Sequence, residues 1–92
     1  MYLEIVSPEA TLFSGEVESV IVPGTSGSFQ MLNNHAPIVS ALKEGTVTIS
    51  GKMVLDDAVQ NMFKKQDDNT TLFEISSGTV EMRNNKLILL AD

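Results

Sequence analysis

The sequence predicts an all-β fold, a compact sandwich or barrel, and three observations carry that prediction. Short runs that alternate apolar and polar residues, the period of a half-buried strand, recur along the chain and are separated by clusters of Gly, Pro, Asn and Ser. Two further runs, Thr79 to Arg83 and Lys86 to Ala91, flank Asn84-Asn85, a two-residue connection suited to positive φ and hence to a tight hairpin. The chain has 92 residues, which allows one domain, residues 1–92, with a modest core.

Taken in order, Tyr2 to Val6 alternates as a strand with Leu3 and Ile5 facing inward, and Ser7-Pro8-Glu9 ends it. Thr11 to Phe13 reads as a brief second strand, and Gly15 as a turn before the longest extended run, Glu16 to Val22. One face of that run cannot hold Val17, Val20 and Val22 together without a phase slip. A bulge near Glu18 and Ser19 repairs it, and the alternative turns Ile21 inward and Val20 outward. Gly24-Thr25-Ser26-Gly27 reverses the chain, with both glycines supplying the positive φ of a tight turn.

Ser28 to Leu32 follows as a strand with Phe29 and Met31 on one side. Pro37 lacks an amide donor and pushes Ala36 out of the α region, so Asn33 to Pro37 is a loop. Ile38 to Leu42 is extended, Lys43-Glu44-Gly45 turns, and Thr46 to Ile49 alternates with Val47 and Ile49 on one face. Met53-Val54-Leu55 reads as a short strand. Asp56-Asp57 then opens a segment with helical spacing: Val59, Met62 and Phe63 fall at i, i+3 and i+4, and Lys64 and Lys65 close it where cations suit the helix dipole. The prediction is one short helix or helical turn over 56–65, followed by an exposed polar loop, Gln66 to Asn69. Thr71 to Ser76 is a strand with Leu72 or Phe73, and Ile75, as core candidates; Ser77-Gly78 turns it. The last strand, Leu87 to Ala91, is apolar on both faces, as expected of a strand buried on both sides or covered on one by a partner.

Composition excludes several function classes. A net charge of −6 with six Lys and Arg lacks the concentrated basic face that phosphate backbones require, so no nucleic-acid partner is expected. No stretch approaches the ~20 apolar residues that span a bilayer, and the amino terminus lacks the pattern of a secretory signal. The absence of cysteine removes disulfides and thiolate metal sites.

Few residues are candidates for chemistry. His35 is the chain's only histidine, with no second histidine or cysteine to complete a metal shell, so the structural reading is a loop imidazole bonded to backbone. Asp56-Asp57 and Asp67-Asp68 lack the regular oxygen spacing of a calcium loop and read as a helix cap and a solvated loop. Ser14 and Ser26 sit beside glycines but not in a G-x-S-x-G elbow, and Gly24 to Gly27 is too short to cradle a phosphate. No catalytic, metal or cofactor site is expected. A free-standing β-sandwich that binds a small ligand or carbohydrate is the alternative, although one tyrosine and no tryptophan give it few aromatic platforms.

The spacing of Gly24, Gly27, His35-Ala36-Pro37, Leu42 and Gly45 resembles a run in the epsilon subunits of bacterial F-type ATP synthases. Leu3 to Glu9 with Phe13-Ser14-Gly15 is similar to that family's first strand and turn, and Ser77 to Met82 with Leu89 to Asp92 to its last hairpin. Three matches in order are far more specific than one tripeptide. The resemblance covers nearly all of the chain except Lys52 to Asn69.

The resemblance implies a flattened sandwich or barrel of about ten short strands in two sheets, which the chain length permits. It implies a central-stalk subunit on the cytoplasmic face of the bacterial inner membrane. Such a subunit clasps the gamma subunit with one side and rests on the c-ring with an end loop, so that proton- or sodium-driven rotation reaches the catalytic head. It makes and breaks no bond, and touches the membrane only through the complex. Carried over by position, the ring-facing residues are Ser28, Asn34 and His35. Ser28 stands where the family usually has an acidic residue, and Gln30 where it has a small one, so a charge-based contact at Ser28 is not implied. The family commonly adds a carboxy-terminal helical hairpin that inhibits hydrolysis and in some members binds ATP. This sequence stops at Asp92, and such a hairpin would need ~25 more residues, so no inhibitory arm and no bound nucleotide are expected.

Overall fold

The computed structural model describes all residues, Met1–Asp92. Ten strands form: β1 (Tyr2–Val6), β2 (Thr11–Glu16), β3 (Ser19–Gly24), β4 (Gly27–Leu32), β5 (Ile38–Leu42), β6 (Gly45–Ser50), β7 (Phe63–Asp67), β8 (Thr70–Ile75), β9 (Gly78–Arg83) and β10 (Lys86–Ala91). They hydrogen-bond in the order β2-β1-β10-β9-β5-β3-β6-β8-β7, with β4 on the remaining side of β3. The path divides into two halves. β3 pairs with β6 through Ser19, Val20 and Ile21 but meets β5 only at Gly24 and Leu42. That corner joins β2-β1-β10-β9-β5 to β4-β3-β6-β8-β7, and the curled sheet closes over one core.

Alternation explains which side chains fill that core. Leu3, Ile5, Leu87 and Leu89 from one half and Val20, Val22, Met31, Val47 and Ile49 from the other are fully buried. The strands β1 and β10 are parallel and in register from Tyr2↔Lys86 to Val6↔Leu90. This places the first and last strands side by side and makes β10 an interior strand, flanked by β1 and β9. Leu87, Leu89 and Ala91 face the core, while Leu90 on the opposite face stays 49% exposed.

Several local readings are corrected. Gly15 lies within β2, not in a turn, and the Glu16 to Val22 run is broken at Val17-Glu18, where the chain leaves β1 for the other half of the sheet. The break lets Val17, Val20 and Val22 all point inward, and Ile21 is only partly buried. In the β3–β4 hairpin only Gly27 has positive φ, 129°. Gly24 is needed for space instead: a Cβ there would lie 2.7 Å from the Gly27 carbonyl oxygen and 2.9 Å from the Phe29 ring.

The predicted helix over 56–65 shrinks to a turn and three residues of 3₁₀ helix, Gln60–Met62. Asp56 does not cap an α-helix but closes a local turn, accepting from the Ala58 N–H at 3.1 Å. Phe63, Lys64 and Lys65, with Gln66 and Asp67, belong to β7, and Met53 to Leu55 forms no strand. A ladder to β8 satisfies this backbone better than one isolated helical turn, whose nucleation is unfavourable.

Candidate functional site

β4 positions the three residues singled out from the sequence. It pairs with β3 alone and is an edge strand. The Gly24↔Gly27 closure of its two-residue hairpin makes Val22↔Phe29 and Val20↔Met31 the hydrogen-bonded pairs, so the amides and carbonyls of Ser28 and Gln30 point to the free edge. Unlike the other edge strand of this half, β7, which carries Lys64 and Lys65, β4 has no charged residue to discourage pairing. Leu32 at its end is 53% exposed.

Ser28 is exposed near the start of β4, and Asn34 is exposed just beyond its end. Ser28 to Leu32 spans about 13 Å at ~3.3 Å per residue before the chain turns at Asn33 and Asn34. On a body of 32 × 24 × 22 Å this is about half of one dimension. The structure therefore brings Asn34 and His35 together at one end of the edge and leaves Ser28 at the other.

The loop after β4 is held by hydrogen bonds. The His35 N–H donates to the Leu32 carbonyl at 3.1 Å, and the imidazole Nδ1 lies 2.7 Å from the Ala36 carbonyl, as a loop histidine bonded to backbone would. Asn34 adopts positive φ, 64°, a conformation asparagine tolerates. Its N–H donates to Asn85 Oδ1 at 2.7 Å, and Asn85 Nδ2 donates to Asn33 Oδ1 at 2.9 Å. The Met1 amine also donates to Asn33 Oδ1, at 2.8 Å, and to Glu16 Oε1, at 3.2 Å. In the sequence, Asn85 is legible only as a hairpin residue. The periodicity of a chain carries no sign of a side chain that bridges to another turn.

A second surface is the outer face of β2-β1-β10-β9-β5. Register places Val6, Leu90, Thr79 and Ala41 in one row, and Glu4, Ile88, Glu81 and Val39 in the next. Val39 is 75% exposed. The corresponding face of the other half is richer in hydroxyls, with Thr46, Thr48, Ser50 and Thr70 around Ile21 and Leu72.

Neither surface converges on a reacting centre. No cavity is lined by His35; the largest, an open groove of about 460 Å³, lies between Leu55, Asp57, Gln60, Asn61, Phe63 and Lys65. No three His, Asp or Glu side chains gather as metal ligands, and no helix is long and apolar enough to cross a membrane.

What this geometry defines is a β-sandwich interaction module, with an open apolar sheet face and an uncharged edge ending in an ordered loop. The chain belongs to the ATP synthase delta/epsilon family, whose beta-sandwich domain matches residues 1–92 and so includes the Lys52 to Asn69 connection. It is 40% identical over 90 residues to the ATP synthase epsilon chain of Chlorobaculum tepidum, covering 98% of this chain and 86% of that one. The epsilon chain of Chlorobium limicola is 43% identical over the same shares, and that of Caulobacter vibrioides 35% identical over 100% of this chain and 90% of its own. The fold is similar to a chain in the central stalk/c-ring structure of Tetrahymena thermophila mitochondrial ATP synthase, with a TM-score of 0.69 at 13% identity over 99% of this chain and 62% of that one. A chain of the Euglena gracilis mitochondrial enzyme gives 0.73 at 13% identity over 97% and 48%. As an epsilon-type chain, this protein is one subunit of an enzyme complex associated with a membrane.

Proposed function

We propose that this chain is a non-catalytic rotor subunit of the central stalk, joining the gamma subunit to the c-ring on the cytoplasmic side of the membrane, so that ion-driven rotation reaches the catalytic head. One single domain, residues 1–92, carries both contacts. The observation that carries the reading is the division of its surface: an open apolar face on one half of the sheet and an uncharged edge with an ordered loop on the other.

The gamma subunit packs on the outer face of β2-β1-β10-β9-β5. Val6, Ile88, Leu90, Val39 and Ala41 supply the apolar burial there, with Glu81 between Ile88 and Val39 as a polar group within the face and Glu4 beside Ile88. The c-ring lies along β4, from Ser28 to Asn34 and His35. Ring contacts made by hydroxyl, amide and imidazole groups contribute about 1 kcal/mol each, so several must act together.

Pull-down with purified gamma subunit and with c-ring tests the assignment. Asn34→Ala with His35→Ala weakens capture of the ring and leaves gamma binding intact, and Ser28→Trp does the same from the other end of β4. Loss of gamma binding on changing His35 would move that residue to the other interface. Binding of the unaltered chain to neither partner would remove the reading.

A further inference from the structure

Asn85 lies in the β9–β10 turn with φ 60°, and Asn84 beside it has φ 53°, so the backbone alone accounts for a residue that tolerates the left-handed region at both positions. Their side chains differ. The Asn85 carboxamide reaches the loop after β4, accepting from the Asn34 N–H and donating to Asn33 Oδ1. Its main-chain carbonyl accepts from the Tyr2 N–H at 3.1 Å. No side-chain hydrogen bond from Asn84 to this loop forms alongside them.

We propose that Asn85 is the positioning residue of the His-Ala-Pro loop, holding Asn34 and His35 in the geometry with which they meet the ring. A five-residue connection, Asn33 to Pro37, spans the end of β4 to the start of β5, which belongs to the other half of the sheet. Within it the imidazole bonds only its neighbour's carbonyl. The Asn34 amide, at positive φ, has its partner in Asn85 Oδ1. Both ends of one carboxamide are used, which fixes the amide orientation and ties the loop to the β9–β10 turn. Because β10 also supplies Ile88 and Leu90 to the apolar face, with Glu81 of β9 beside them, the same hairpin bears on both surfaces of the proposed coupler.

The part of this inference that concerns the ring rests on the proposed function; the part that concerns loop order does not. Asn85→Gly separates turn from loop, because Asn-Gly is the preferred pair for a two-residue hairpin, so the variant keeps the turn and removes only the carboxamide. Hydrogen exchange on the purified chain is expected to show the Asn34 amide losing protection by about fivefold to tenfold, the size of one hydrogen bond, with β9 and β10 amides unchanged. Asn84→Gly leaves the Asn34 amide as it was. Asn85→Asp, which keeps an acceptor for that N–H, restores most of the protection. Ring capture then falls for Asn85→Gly, together with loop order, and recovers in Asn85→Asp. Unchanged Asn34 protection in Asn85→Gly would overturn the positioning role. Lost protection with unchanged ring capture would preserve it while removing the loop from the ring contact.

Discussion

Phe63 on β7 stacks on Phe73 of β8, the ring centroids 4.8 Å apart and the planes 23° from parallel. The two residues also face each other in the ladder, so one contact fixes both the register of this edge strand and the end of the long connection from β6. Phe63 is buried, whereas the other four residues of β7 are exposed, so little else holds the strand. Phe63→Ala is expected to destabilise the chain by about 3 kcal/mol, a drop in melting temperature on the order of 12–24 °C for a domain of this size. Calorimetry measures this. A loss below about 1 kcal/mol would mean that β7 docks by its backbone alone.

Gly24 makes a steric prediction at the corner where the two halves meet. A methyl group there must displace either the Gly27 carbonyl or the Phe29 ring, and overpacking of this kind costs about 1–3 kcal/mol. Gly24→Ala should therefore lower the urea midpoint. Gly27→Ala should do so as well through its φ of 129°, although space around it is open.

Thr71 is 1% exposed on the inner face of β8, and its hydroxyl has no partner. A buried unpaired hydroxyl costs about 1–3 kcal/mol. Thr71→Val keeps the shape and removes that cost, so it is expected to stabilise the fold by about 1 kcal/mol in denaturant unfolding. Destabilisation would show that the hydroxyl is bonded in solution.

Val39 and Leu90 test the gamma-facing surface. Both are exposed in the free chain, so Leu90→Glu should leave stability within about 0.5 kcal/mol, and Val39→Glu, which faces Glu81 across the ladder, should cost no more than about 1 kcal/mol. If gamma covers them, each should weaken its binding at least about tenfold. Titration calorimetry with gamma separates this from a folding defect, and unchanged affinity would assign the face to solvent.

Much of this structure was legible from residue order, and the exceptions share one physical cause. β5 was legible as an extended run between turns, and β9 and β10 as the runs flanking Asn84-Asn85; alternation identified β1, β4, β6 and β8, because each has one face on the core, and it read Phe29 with Met31 and Val47 with Ile49 correctly. It left Phe73 and Leu72 as alternatives, and a long-range contact with Phe63 decides between them. Helical spacing of Val59, Met62 and Phe63 was present, yet pairing with β8 prevailed for Phe63. The change of partner at Val17-Glu18 looked like a phase slip, since a linear pattern cannot show that a chain has crossed from one half of a sheet to the other. For the surfaces, Ser28, Asn34 and His35 were named from resemblance, but their spread along one free edge required the strand order. Asn85 required side-chain geometry.

The central claim is mechanical coupling without chemistry, and the most direct measurement compares ion-driven ATP synthesis with ATP hydrolysis in membrane complexes assembled with and without this chain. The account predicts that omission leaves hydrolysis by the catalytic head and abolishes synthesis. The added chain restores synthesis, whereas the chain carrying both Val39→Glu and Leu90→Glu does not. Full synthesis in its absence, or ATP hydrolysis by the isolated chain, would contradict it.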